Sequence, residues 1–230
     1  MTKRAINKEE IRRILRGDDL EAAMAAISRM PPRKIINILI SLYCDSDPLT
    51  RWRAVDATGW IVSGHAETEM ESARVIMRRL LWMLNDESGG IGWGVPEAMG
   101  TVMARHDGLA KEYGSILLSY IEPDCNFLEH PLLQRGVLWG IGMLARSRPE
   151  MVRRTLPRLG QFFGSGDPWH RGYAARAAGF TGEPEILPEV DALKDDNAII
   201  DIYEDGLLKA ITVGGLALAA ANRLRTGKES

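Results

Sequence analysis

Apolar residues recur at helical spacing along most of this chain, in paired stretches separated by turns rich in proline, glycine and aspartate. In the clearest pair, Ala54, Val55, Thr58 and Ile61 form one stripe, and Val75, Met77, Leu80, Leu81 and Leu84 form the stripe of its partner. Asp47 is placed to cap the first of these helices, Pro48 suits its first position, and Gly64 is read as its end. The partner helix is expected over 68–84. Second helices of later pairs are expected over 107–121, 149–163 and, shorter, 184–193. Upstream, 8–16, 20–29 and 33–43 read as an irregular opening group. Downstream, 199–224 reads as a closing helical segment that breaks at Gly214-Gly215. No segment alternates with period two clearly enough to predict a strand, so the expectation is all-α.

Four segments superpose without a gap and share a glycine: DPLTRWRAVDATG ending at Gly59, SGGIGWGVPEAMG at Gly100, HPLLQRGVLWGIG at Gly142 and DPWHRGYAARAAG at Gly179. The glycines lie 41, 42 and 37 residues apart, and a helical period near 40 marks a solenoid of helix pairs. The expected fold is a right-handed α-α superhelix of about five to six pairs in a single domain, 1–230. Its units are an irregular first repeat (1–45), repeats near 46–86, 87–124, 125–166 and 167–196, and closing helices over 197–225. Each anchor glycine sits where helices of adjacent repeats come closest. There a missing Cβ outweighs the ~1 kcal/mol that glycine costs a helix.

The third copy departs from this pattern. Gly89, Gly90, Gly92 and Gly94 occupy the positions that should begin its first helix, and Pro96 follows. The helix is therefore expected to start late, with Pro96 in its first turn, Glu97 near its positive end, and a loop over 87–94. A glycine-rich loop entering a helix exposes backbone amides that suit a phosphate, a carboxylate or a partner protein. The run GGIGWG fits no nucleotide-binding fingerprint, because no strand precedes it and no Lys-Ser/Thr follows.

The D-P-x-x-R pattern followed by alanine, an apolar residue and the glycine resembles the HEAT-like repeats of the phycobilisome-lyase type. Asp47, Pro48, Arg51, Ala54, Val55 and Gly59 carry it, as do Asp167, Pro168, Arg171, Ala174, Ala175 and Gly179. The fourth copy has Gln134 in place of the arginine, and the third keeps little beyond Val95 and Gly100. The run from Asn85 to Gly100 also resembles a segment of small HEAT-like proteins of anaerobic bacteria. The resemblance spans roughly 46–195 and implies a fold. It admits roles as different as scaffolding and bilin attachment.

Tryptophan placement suggests a site. Trp52 and Trp93 lie seven residues before their glycines, Trp139 three before and Trp60 one after, offsets that share one helical face. Arg51, Arg53, Glu97, Arg135 and Arg176 fall near that face in the same register. The candidate partner-binding set is thus Gly89, Gly90, Gly92, Trp93, Gly94, Glu97, Trp52, Arg53, Arg135 and Trp139. His65 and His106 both follow their glycines by six residues, but the spacing lacks the short ligand pairs of helical metal sites, and Arg148 fills the matching place in the next repeat. No metal and no cofactor is expected. No catalytic assembly emerges either, because no G-x-S-x-G elbow occurs, and the closeness of Cys125 and His130 does not make a nucleophile–base pair.

Composition narrows the classes. The formal net charge is -2, which gives no basic field for nucleic acid. Residues 1–16 hold six basic side chains against two acids, and 183–205 hold nine acids against Lys194. Cys44 and Cys125 make no disulfide framework. The start MTKRAINKEE has no apolar stretch, and the longest apolar run, 210–221, is short of the roughly 20 residues of a span. A cytoplasmic protein without membrane contact is expected. The leading expectation is a non-catalytic scaffold holding a protein or peptide on its concave face and the 87–97 loop. The alternatives are a bilin-lyase-like chromophore handler and, further off, a HEAT-like DNA glycosylase. Such glycosylases carry tryptophan, arginine and an acid in a concave cleft, but this sequence shows no matching acidic–aromatic motif.

Overall fold

A computed structural model describes residues 6–85 and 92–227. Short helices open the chain: α1 (Lys8–Leu15), α2 (Leu20–Ser28) and α3 (Pro32–Leu42). Helix pairs follow: α4 (Pro48–Ala66) with α5 (Met70–Asn85), then α6 (Val95–Arg105) with α7 (Asp107–Ser119). Next, α8 (Pro131–Ser147) is followed by the short helices α9 (Pro149–Val152) and α10 (Leu156–Gly160), joined by a 3-10 turn. After α11 (Pro168–Gly179) and α12 (Leu187–Asp191) come two strands, β1 (Ile199–Glu204) and β2 (Leu207–Thr212), and the final helix α13 (Val213–Thr226). The architecture is the expected all-α superhelical repeat.

The repeated D/H-P start has one physical job. Asp47 accepts from the amide of Thr50 at 3.1 Å and Asp167 from that of Trp169 at 2.9 Å, each followed by proline at the first helical position. In the copy without aspartate, His130 Nδ1 accepts from Leu132 N at 3.3 Å in the same role. The helices α4, α6, α8, α11 and α13 form one layer in which each packs on the next. The anchor glycines mark those contacts. A Cβ on Gly100 would stand 2.6 Å from the Gly140 carbonyl oxygen, and one on Gly179 would stand 2.5 Å from Ala220 Cα. Gly142 is looser, its nearest would-be neighbour being the flexible Arg176 guanidinium at 3.1 Å.

Three local expectations are corrected. Gly64 does not end its helix, because α4 continues to Ala66 and a Cβ at Gly64 would meet nothing. The second helix of the fourth pair is broken into short pieces, with Pro149 and Pro157 each opening one. Most consequentially, 199–212 is not helical but an antiparallel hairpin, with Ile199 opposite Thr212 and Glu204 opposite Leu207. Its turn is Asp205-Gly206 with φ of 52° and 78°, the paired positive φ of a tight two-residue connection. Gly214 and Gly215 then lie in the unbroken first turn of α13, where Thr212 accepts from Gly215 N at 3.0 Å.

The hairpin is a chord across the inner layer. Tyr173 of α11 donates to the Asp201 carbonyl at 3.1 Å, while Tyr203 stacks on Trp52 of α4 with centroids 5.5 Å apart. Trp52 of α4 also reaches Trp139 of α8, with ring centroids 4.7 Å apart, although α6 packs between the two helices. In a flat stack, two helix spacings of about 9 Å each would separate α4 from α8, more than two indole side chains span. The layer is therefore strongly curved, and the hairpin closes its concave side. Arg53 fastens the far end: its Nε donates to the Gly206 carbonyl at 3.0 Å and its Nη1 to the carbonyls of Leu15 and Gly17 at 2.7 and 2.5 Å.

Candidate functional site

Curvature and hairpin together leave a cavity of about 530 Å³ at the N-terminal ends of the inner helices. Its aromatic walls are Tyr43 after α3, Trp52 on α4, Trp93 before α6, and Trp169 and Tyr173 on α11. Arg51, Glu97, Arg135 and Asp201 supply its charges. A cavity of this size, with five aromatic rings among its lining residues and a few convergent polar groups, has the composition of a ligand pocket.

Each wall is held from behind. Tyr43 Oη is 2.7 Å from Thr58 Oγ1 in the core, which fixes the ring. Gly94, at φ 71°, lets the chain turn directly against it, since a Cβ there would stand 2.9 Å from the Tyr43 ring. Trp52 is clamped between Tyr203 and the buried Trp139, whose ring centroid is 4.7 Å away. Trp93 meets His130 edge-on at 5.3 Å. Arg135 lies over the Trp169 ring at 4.2 Å and is paired to Asp167 at 2.7 Å, so its plane is set by two partners.

Glu97 is the exception. Its Oε2 is shielded from solvent and has no hydrogen-bond partner among the described residues. The carboxylate packs on the α8 backbone at Gly136, where a Cβ would stand 2.5 Å from Oε2. Burial pushes its pKa up to about 7, only partly offset by its own backbone amide and by Arg51. A half-buried acid without a partner, facing aromatic rings, is a costly arrangement unless something outside the chain completes it.

The candidate residues divide clearly. Trp52, Trp93, Gly94, Glu97 and Arg135 line the cavity. Trp139 supports Trp52 from the core and does not line it. Arg53 is a structural strut, 3% exposed and engaged with three carbonyls. Gly92 packs against Met83 and Leu84 rather than the cavity, and Gly89 and Gly90 lie outside the described residues. Most of the 87–94 loop expected to cradle an anion lies outside the described residues, and Glu97 stands in the first turn of α6 that follows it. Trp60 sits away from the cavity under Arg105 at 4.6 Å, and Arg176 is buried elsewhere.

His65 and His106 have separate local tasks. His106 Nδ1 accepts from Leu109 N at 3.1 Å and caps α7, while His65 lies 3.9 Å from Glu69. Arg148, their counterpart, donates to the carbonyls of Met103 and Ala104 at the end of α6, as a cation at a helix C-terminus should. Among the described residues, no group of three or more His, Cys, Asp or Glu side chains is arranged to hold a metal. Both cysteines are free and exposed.

Sequence reasoning missed Trp169, Tyr43, Tyr173 and the hairpin residues. Trp169 falls outside the shared tryptophan offsets, being ten before its glycine. Asp205-Gly206 between two apolar-rich runs was the available hairpin signal.

No protein-family model and no curated protein matches the chain. Solved structures do. An engineered protein is similar over 96% of this chain and 98% of its own, at 16% identity and a TM-score of 0.54. A designed armadillo repeat protein in complex with the peptide (KR)4 is similar over 95% of this chain and its full length, at 16% identity and 0.53. A computationally designed armadillo repeat protein for modular peptide recognition covers 94% of this chain and 99% of its own, at 16% and 0.50. At these identities the likeness establishes the fold: this chain is an armadillo/HEAT-like helical-repeat solenoid.

Proposed function

We propose that this protein is a helical-repeat binding module that captures one planar, cationic side chain of a peptide or protein partner in its aromatic cavity. The observation that carries this reading is Glu97 Oε2, shielded and without a partner among the described residues, in a cavity walled by indole and phenol rings. Ring faces attract cations, and arginine or a substituted ammonium stacks between them while donating to the acid. The hairpin occupies the concave side, so the partner enters at a point instead of lying along the whole groove. Leu132, 43% exposed at the rim, and Arg51, which has no ion-pair partner among the described residues, then meet the residues flanking the anchor. The peptide named for the designed armadillo neighbour is basic, which agrees with a cationic anchor. Calorimetry with capped peptides bearing arginine, lysine, methylated lysine or a neutral isostere tests this. Tight binding of a cationic member, lost in Glu97→Gln, is expected; equal weak binding across the set would remove the reading.

One observation favours a second reading. Trp93, just before α6, and Glu97 in its first turn line the same cavity as Arg135 and Trp169, a grouping of acid, arginine and indoles that supports a HEAT-like DNA glycosylase reading. Such a pocket accepts an extruded base whose ring carries positive charge, with Arg51 near a flanking phosphate. Incubation with duplex carrying an alkylated base discriminates: base release that disappears in Glu97→Gln supports this reading, and an intact duplex with no gel shift at low salt opposes it.

A further inference from the structure

At the opposite ends of the inner helices lies a second cavity, of about 600 Å³. It is lined by Arg146 in the last turn of α8, Arg153 after α9, Phe180 after α11 and Arg223 in the last turn of α13. Beneath it Arg176 is 4% exposed. Three guanidiniums surround the one Phe180 ring, Arg223 at 4.5 Å, Arg176 at 5.1 Å and Arg146 at 5.9 Å from its centroid.

Arginines at helix ends ordinarily serve the helix, and Arg148 shows how: it donates to two carbonyls and pairs with Asp107 at 3.4 Å. The cluster around Phe180 does not follow that example. Arg146 and Arg223 have neither a carboxylate in ion-pair range nor a hydrogen bond to a carbonyl among the described residues, and Arg223 Nε and Arg176 Nη1 are buried without partners. The acids facing the cluster are Glu204, 3.8 Å from Arg176, and Glu183, committed to Arg153 at 2.6 Å. Burial lowers the Arg176 pKa to about 10, and Arg146 and Arg223 add to that, so the group stays charged at neutral pH. Like charges are thus crowded round one ring with too few acids to balance them.

We propose that this cavity is an oxyanion site for a phosphoryl group, most fittingly a pyrophosphate, held by Arg146 and Arg223 with the buried charge of Arg176 behind the Phe180 ring. Planar guanidiniums match phosphate oxygens in paired hydrogen bonds, and the anion supplies the missing counter-charge. The site is independent of the aromatic cavity and of what that cavity binds.

Titration of the full chain with inorganic pyrophosphate at low salt, followed by calorimetry and thermal melting, tests it. Saturable binding that weakens steeply with salt is expected, at least tenfold weaker in Arg223→Gln and in Arg146→Gln, and unchanged in Glu97→Gln. The unliganded Arg146→Gln protein should melt no lower than the original, whereas a purely structural arginine would lower it. A parallel titration with a nucleoside diphosphate shows whether the phosphates alone suffice or a base adds affinity; either result is binding through the same arginines. Absence of binding to the folded protein at millimolar pyrophosphate overturns the proposal. So does undiminished binding by the double variant.

Discussion

The two cavities sit at opposite ends of the same inner helices and are opposite in chemistry. Among the described residues, one holds a shielded carboxylate oxygen without a partner beside aromatic rings, and the other crowds guanidiniums round one ring with buried nitrogens, Arg176 Nη1 and Arg223 Nε, left without partners. Elsewhere the chain pairs its charges readily: Arg105 with Asp56, Arg158 with Glu122 and Arg171 with Asp196 each meet at 2.6 Å. The difference teaches where to look in a repeat protein. Helix ends that satisfy themselves read as scaffold, and ends that leave shielded charge unsatisfied are the candidates for sites.

The comparison breaks most completely where both cavities depend on the stack. Gly100→Val forces side-chain carbons into the Gly140 backbone, and a loss of about 3 kcal/mol is expected in denaturant unfolding, together with loss of both binding activities. Retained binding at either cavity would show that the helix ends are independent of the glycine contacts.

Next in size is Glu97→Gln, which separates the cavities. The folded carboxyl titrates near 7 and an unperturbed one near 4.5. Below about 4.5 both states are protonated and the substitution is neutral. Between the two values the native state keeps a proton that the unfolded chain has released, so the original protein loses stability as pH rises. Above about 7 the full penalty is present, and Gln should stabilise by roughly 3 kcal/mol. Unfolding at pH 4, 6 and 8 measures the trend. A cationic anchor reverses it, since binding requires the ionised acid and should tighten as pH rises through 7.

A smaller change sharpens the point. Gly136→Ala places a methyl where Glu97 packs, and a cost of about 1–2 kcal/mol is expected, with weakened binding at the aromatic cavity and none of the loss at the arginine cavity. Smallest is Arg146→Gln in the absence of ligand, expected within about 0.5 kcal/mol of the original by melting, because the exposed guanidinium gives up no ion pair.

Much of this was legible residue by residue. The Asp47 and Asp167 caps, the late start of α6 with Pro96 in its first turn, and the close helix contacts at Gly100 and Gly179 follow from rules that act within one turn or one repeat. Trp52, Trp93, Glu97 and Arg135 were found from repeat register, because equivalent positions on a curved stack face the same hollow. Register failed for Arg53, whose offset is adjacent to that of Trp52 but whose side chain turns to the hairpin and to α1. It also failed for Trp169, Tyr43 and Tyr173, which no shared offset links.

What the sequence determined by itself is the helix-pair stack and its spacing, since caps, prolines and glycines act locally and the hydrophobic period repeats. Tertiary structure decided that 199–212 returns as a hairpin to touch α4, that Trp52 and Tyr173 thereby share a cavity, and that arginines from α8, α11 and α13 gather on Phe180. Apart from Arg176 on Phe180, four positions away, those contacts join residues some 30 to 150 positions apart. Their geometry depends on the accumulated curvature of the stack, which no single repeat encodes.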